Sequence, residues 1–351
     1  VIESQSKIKI NAPFGRFCFS FSADHKICLR KEKINTFPRF HSTEFDNPMT
    51  STMRHHALLL ALSFLTGFSC TRQTTSYYQE EVGLQHDVFI SSRNDHSVKH
   101  YDGQTGHFLG DFVSPGENDL QMTQEVAFGP DSNLYVSGRG NSAIHRYDSR
   151  SGAFLGAFTT GYTLDNPTKI SFGPDGLLYV SQWGERQSSV ARFDARSGVF
   201  VDEFTENLNQ PLSHAWDREG SFYVACFGSK EVRRYSKDGD FQRSIRDEGR
   251  LNGPTNIWFG EDEDLYVADW QSGSVLEFNE RNGRFLGTFI SGLERLEGVA
   301  FGPDERIYLC DWQANSVLRY DQRGNFIDVF IDSGDLQQPN GIVFRPDVNE
   351  E

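Results

Sequence analysis

From residue 87 to residue 347 the chain carries short runs of alternating apolar and polar positions, each bounded by Gly, Pro, Asp or Asn, and the pattern recurs. Its clearest copy is EGVAFGPDERIYLCDWQANSVLRYDQRGNFIDVFIDSG, from Glu297 to Gly334. The alternation predicts four strands, Val299 to Phe301, Arg306 to Asp311, Ser316 to Asp321 and Phe326 to Ile331, with turn chemistry between them. One copy is then one small antiparallel sheet. Alone it cannot bury either face, whereas copies standing side by side bury both. An apolar triplet centred on Phe89, Tyr135, Tyr179, Tyr223, Tyr266 and Tyr308 marks six copies, with spacings by subtraction of 46, 44, 44, 43 and 42 residues. Four strands in each such period is the pattern of a propeller blade; helical repeats of similar length would show a period of about 3.6 residues.

The strand count predicts how the ring closes. The first triplet, in Asp87 to Ile90, lacks the strand that precedes every other copy, and the chain ends with that strand unused, in Pro339 to Asp347. Pairing the last strand with the first removes two exposed sheet edges. The predicted fold is all-β, a six-bladed β-propeller of four-stranded antiparallel blades over residues 87–347, with the first blade closed by the C-terminal strand and residues 348–351 left as a tail.

The region before the repeat reads differently. Residues 1–52 show no periodic pattern and are expected to be disordered or not translated in the mature form, with translation starting at Met49 or Met53. Residues 53–70 run from Met53, Arg54, His55 and His56 through an apolar stretch, Ala57 to Phe68, to Ser69 and Cys70, the order of a signal peptide. Residues 71–86 form a polar leader. The expected location is secreted, or periplasmic and cell envelope. A lipid anchor at Cys70 is the alternative, although Gly67 and Phe68 depart from the usual lipoprotein pattern. No segment reads as transmembrane, since the apolar run is too short to span a bilayer comfortably.

Composition narrows the partners. A net charge of −15 argues against nucleic acid and anionic membrane, which need clustered Lys and Arg. The five cysteines, Cys18, Cys28, Cys70, Cys226 and Cys310, are too few and too irregular for a disulfide framework or a zinc site. Cys226 and Cys310 are expected to be free thiols. A monomer is expected.

The phrases GPDGLLYVS (173–181), PTNIWF (254–259), LYVADWQSGSVLEF (265–278) and PNGIVFRPD (339–347) resemble the NHL-repeat proteins and the wider six-bladed group that includes regucalcin-like gluconolactonases and virginiamycin B lyase. The resemblance is specific for the fold. Enzymes and pure binding scaffolds share it.

Strand order sorts residues by face. The start of each blade's first strand and the end of its second lie at one end, the upper face. Before the first strand come Gln124-Glu125, Thr168-Lys169, Leu212-Ser213, Thr255-Asn256, Glu297-Gly298 and Asn340-Gly341. After the second, the outer members of the column are Arg93, Arg139, Trp183, Phe227, Trp270 and Trp312, beside Asp269 and Asp311. Aromatics and Arg dominate binding hot spots, so these eight residues are the candidate binding set for an extracellular carbohydrate or a protein or peptide ligand. A structural role competes with this: Asp269 and Asp311 capping loop amides while the rings pack between blades.

The lactonase resemblance implies a divalent cation such as calcium in the channel mouth, where Asn340 matches one ligand and Glu297, Gln124 and Asn256 offer further oxygens. Thr168, Leu212 and Thr255 stand where other ligands are wanted, and Asn340 replaces the His expected for lyase chemistry. No catalytic residue is assigned, and a binding protein is preferred to an enzyme. His214 stands where other blades have Ile or Val, so it is expected to be a hydrogen-bonded core histidine.

Overall fold

The computed structural model describes residues 17–20, 26–29, 87–205, 207–332 and 335–346. The chain divides into two units, Val1–Tyr77 and Tyr78–Glu351. In the first, β1 (Phe17–Ser20) and β2 (Lys26–Leu29) form an antiparallel hairpin. The expected signal peptide and polar leader lie outside the described residues.

The second unit is the six-bladed propeller, with four antiparallel strands in each blade. The sixth blade, for example, is β22 (Leu296–Phe301), β23 (Ile307–Asp311), β24 (Ser316–Tyr320) and β25 (Phe326–Asp332); the first strand starts three residues before the predicted Val299, and the other boundaries agree to within one residue. The first blade is assembled from both ends of the repeat: β26 (Pro339–Phe344) pairs with β3 (Val88–Ser92), matching Ile342 to Ile90 and Phe344 to Val88. The Arg345 amide donates to the Asp87 carbonyl at 2.7 Å and its guanidinium pairs with the Asp87 carboxylate at 3.0 Å, extending the closure past the strand ends.

The innermost strands follow one another around the ring: β26, then β6 (Thr123–Phe128), β10 (Pro167–Phe172), β14 (Pro211–Trp216), β18 (Pro254–Phe259) and β22, which meets β26 again. Each junction between blades has its own apolar cluster. Val88, Ile90 and Ile342 of the first blade, for instance, pack with Tyr308, Val317 and Phe330 of the sixth. Cys226 and Cys310 are buried free thiols, as expected. His214 is buried between hydroxyls, with Nδ1 2.8 Å from Ser181 Oγ, and burial holds it neutral, well below the usual histidine range.

On the opposite, lower face, four blades repeat a local device. The tyrosine of the second strand lies in register with an arginine of the third: Tyr135 with Arg146, Tyr179 with Arg192, Tyr223 with Arg234 and Tyr308 with Arg319. In three of these the tyrosine hydroxyl also donates to the turn aspartate, as Tyr308 does to Asp304 at 3.0 Å, whereas Tyr223 donates to Glu280. The fifth blade breaks the pattern, with Glu277 opposite Tyr266 and gathered with Asp262 and Asp264. Burial, then the Asp262 and Asp264 charges, push the Glu277 carboxyl up. Ionised Glu277 therefore works against folding. Glu277→Arg should raise the thermal midpoint by about 1–3 °C at neutral pH. Because the folded-state pKa is raised, the advantage should shrink as pH falls through the carboxylate range and Glu277 is neutralised in the parent. Calorimetry at two pH values checks both the sign and the trend.

Candidate functional site

The channel mouth on the upper face is built from a backbone irregularity repeated six times. Each innermost strand loses register with its neighbour near its start: between Thr123 and Val126, Pro167 and Ile170, Pro211 and Ser213, Pro254 and Asn256, Leu296 and Val299, and Pro339 and Ile342. A bulge re-aims side chains out of the ladder, and here it gathers residues from all six blades around the axis. A small cavity there is lined by Gln124, Glu125, Lys169, Ser213, Asn256, Glu297 and Asn340, among others. The strands approach so closely that a Cβ on Gly298 would lie 1.8 Å from the Asn340 carbonyl oxygen. Hydroxyls stitch the bulges together. Ser91 Oγ accepts from the Gly341 amide at 2.7 Å and donates to the Gln124 carbonyl at 2.9 Å, and Ser137 Oγ does the same between the Glu125 amide and the Thr168 carbonyl, both at 2.8 Å.

Glu297 is the centre of this floor. It is 8% exposed, and one carboxylate oxygen accepts from Gln124 Nε2 at 2.9 Å and from Asn340 Nδ2. Burial pushes its carboxyl up, while Arg93, Arg139 and the Gln124 hydrogen bond pull the other way. The partner amides are incompletely used: Gln124 Oε1 and Asn340 Oδ1 are buried without a donor among the described residues. Asn256 is committed elsewhere, since its Oδ1 accepts from Ser213 Oγ and from the Ile257 amide, both at 3.0 Å, and its Nδ2 donates to the Glu297 carbonyl. Glu125 and Lys169 form an ion pair at 2.8 Å, which reasoning from the sequence did not single out although both residues lie in its inner column.

The six rim residues occupy equivalent places for a common reason. Each follows the second strand of its blade, and its amide donates to a carbonyl of the loop entering that blade: Arg93 to Gln338, Arg139 to Met122, Trp183 to Asn166, Phe227 to Gln210, Trp270 to Gly253 and Trp312 to Arg295. All six side chains are half-exposed. Three neighbouring pairs touch around the mouth. The Arg139 guanidinium lies 4.6 Å from the Trp183 ring centroid, Trp183 meets Phe227 at 5.1 Å, and Trp270 meets Trp312 edge-on at 4.9 Å. Trp312 Nε1 is buried without an acceptor among the described residues. Arg139 and Trp183 also line a cleft of about 720 Å³ with Asn166, Arg186 and Asn209. Beside it the loop at 183–189 has seven residues, where the equivalent loops 139–142 and 270–273 have four.

Asp269 and Asp311 do not share this exposure. Both are buried, and their oxygens are occupied by loop amides: Asp269 by those of Asn252, Gly253 and Ser272, and Asp311 by those of Glu294, Arg295 and Ala314. The structure thus gives them the capping role that competed with ligand contact in the sequence, and through it they fix the loops behind Trp270 and Trp312.

No protein-family model and no curated protein matches the sequence. Among solved structures, the chain is similar to a protein of unknown function from Bacteroides caccae, at 15% identity and TM-score 0.61 over 75% of this chain and all of that one. It is also similar to a chain of the nidogen/laminin complex, at 15% identity and TM-score 0.62 over 74% of this chain and 98% of that one. A third is a catalytically inactive virginiamycin B lyase from Staphylococcus aureus with quinupristin, at 13% identity and TM-score 0.55 over 75% of this chain and 94% of that one. At these identities the likeness carries the propeller fold and nothing finer.

Proposed function

We propose that the protein is an exported NHL-type propeller that binds an extracellular ligand at its upper mouth. The observation that carries this reading is the rim itself. Arg139 and Trp183 stack and Trp183 meets Phe227, while Trp270 packs on Trp312, so aromatic surface runs along the wall of a polar channel. Half-exposed rings over amides and a carboxylate suit a sugar, whose faces stack while its hydroxyls take the polar groups. The buried Trp312 N–H supplies one donor in need of an acceptor. A peptide is the other ligand such a face accepts. Export rests on the basic, apolar and small-residue order of residues 53–70.

A glycan and peptide array probed with the purified protein tests the reading, with Trp270→Ala/Trp312→Ala as the comparison. Each stacked ring contributes about 0.5–1.5 kcal/mol, so the double variant should bind about five- to a hundred-fold more weakly. Equal binding by the two proteins, with circular dichroism unchanged, would return these tryptophans to a purely structural role.

One observation favours a second reading, a metal-dependent enzyme of the lactonase type. The donorless amide oxygens of Gln124 and Asn340 stand beside the Glu297 carboxylate, an all-oxygen set of the kind calcium takes. With the ion held by Glu297, each amide would turn over, giving up its N–H bond to the carboxylate and aiming its oxygen at the cation. Glu297, Gln124 and Asn340 would hold the ion, and Asn256, already committed, would not. A bound cation supplies Lewis-acid polarisation of a ligand oxygen. On this reading calcium should raise the thermal midpoint of the parent protein and leave that of Glu297→Gln unmoved. No shift in the parent at millimolar calcium would remove the reading.

A further inference from the structure

The half-buried arginines among the described residues are almost all accounted for. Among the described residues, every other half-buried arginine reaches a carboxylate or a backbone carbonyl, as Arg192 reaches Asp202 at 2.6 Å and Arg295 reaches the Trp270 carbonyl at 3.2 Å. Arg93 and Arg139 reach neither, although both are half-buried. They stand on adjacent blades at equivalent rim positions, each fixed through its backbone. Arg139 is further held over the Trp183 ring, 4.6 Å from its centroid. Burial, and then the charge of Arg93, push the Arg139 guanidinium down to about 10, and the attraction of Glu297 is the smaller effect. Two cations thus face the mouth with one carboxylate near enough to be felt but not bonded to either.

We propose that Arg93 and Arg139 form a two-guanidinium clamp for a single carboxylate carried by the ligand. The proposal rests on the reading of the upper mouth as the binding face and names the group that anchors there. Guanidinium forks match a planar carboxylate through paired N–H···O bonds. The charge balance favours one negative charge: with Glu125 and Lys169 paired, an ionised Glu297 offsets one of the two guanidinium charges and leaves the other for the ligand. A phosphate dianion would leave that balance negative, next to buried Glu297 and in a chain of net charge −15. From the clamp a ligand ring continues onto Trp183 and into the cleft lined by Asn166, Arg186 and Asn209.

Acetate is the probe, because it presents the group without a skeleton. Intrinsic tryptophan fluorescence reads the titration through Trp183, with sodium chloride compensating ionic strength. The expected result is a saturable change in the parent protein, weakened at least about ten-fold in Arg93→Gln, which leaves the Arg139–Trp183 reporter in place. Arg139→Met, which keeps a chain over the indole without the charge, should lose the response as well. A response to inorganic phosphate tighter than to acetate overturns the carboxylate assignment. An absent response, or one equal in the parent and Arg93→Gln, overturns the clamp. The array experiment separates this from the parent reading: a hit lost in the tryptophan double variant while acetate gives no response leaves the binding face standing without the clamp.

Discussion

The pairing of Pro339–Phe344 with Val88–Ser92 joins the ends of a repeat whose units have no independent means of burying their faces. Left open, the first and sixth blades would each expose one apolar face, and β3 and β26 would each keep an unpaired edge. Closed, all six junctions hold comparable apolar clusters, and the six innermost strands circle a single axis. The channel mouth exists only because of that closure. Glu297 comes from the sixth blade, Asn340 from the closing strand and Gln124 from the second blade, so one hydrogen-bonded group draws on both ends of the repeat.

Repetition fixes places, and departures from repetition mark purpose or cost. On the lower face, Arg in register with Tyr is the common solution; the first blade has Phe89 opposite His100 instead, and Glu277 is a local burden on the fifth. On the upper face, the repeated element is the backbone hydrogen bond that sets each rim residue, while the side chains it presents do not serve the fold in the same way. Asp269 and Asp311 cap loops. Arg93 and Arg139 carry charge that no contact ion pair matches among the described residues. Holding such groups half-buried lowers stability, a cost that binding sites commonly carry.

The fold was legible in the sequence because its signals are periodic and local: turn residues at fixed offsets, apolar triplets at a steady spacing, and a strand missing at one end and spare at the other. His214 was legible as a core histidine for the same reason, standing where its counterparts are Ile or Val. The rim positions followed from alignment of the copies. The Glu277 exception was open to the same comparison, against Arg146, Arg192, Arg234 and Arg319, on the face opposite the channel mouth. What the sequence did not carry was pairing. Whether Asp269 faces a ligand or three loop amides, whether Asn256 has a free oxygen, and whether an arginine has a partner depend on distances across loops and bulges that no spacing encodes.

The claim that the upper mouth is shaped for a ligand rather than for the fold is tested most directly by urea unfolding of the ligand-free protein and its Arg139→Met variant. Burial and repulsion from Arg93 outweigh the attraction of Glu297 for the Arg139 charge. Removing the charge while keeping side-chain contact with Trp183 should therefore move the unfolding midpoint to higher urea at unchanged slope. A midpoint at lower urea would mean that the guanidinium serves the fold, as a counter-charge to Glu297, and would contradict the account.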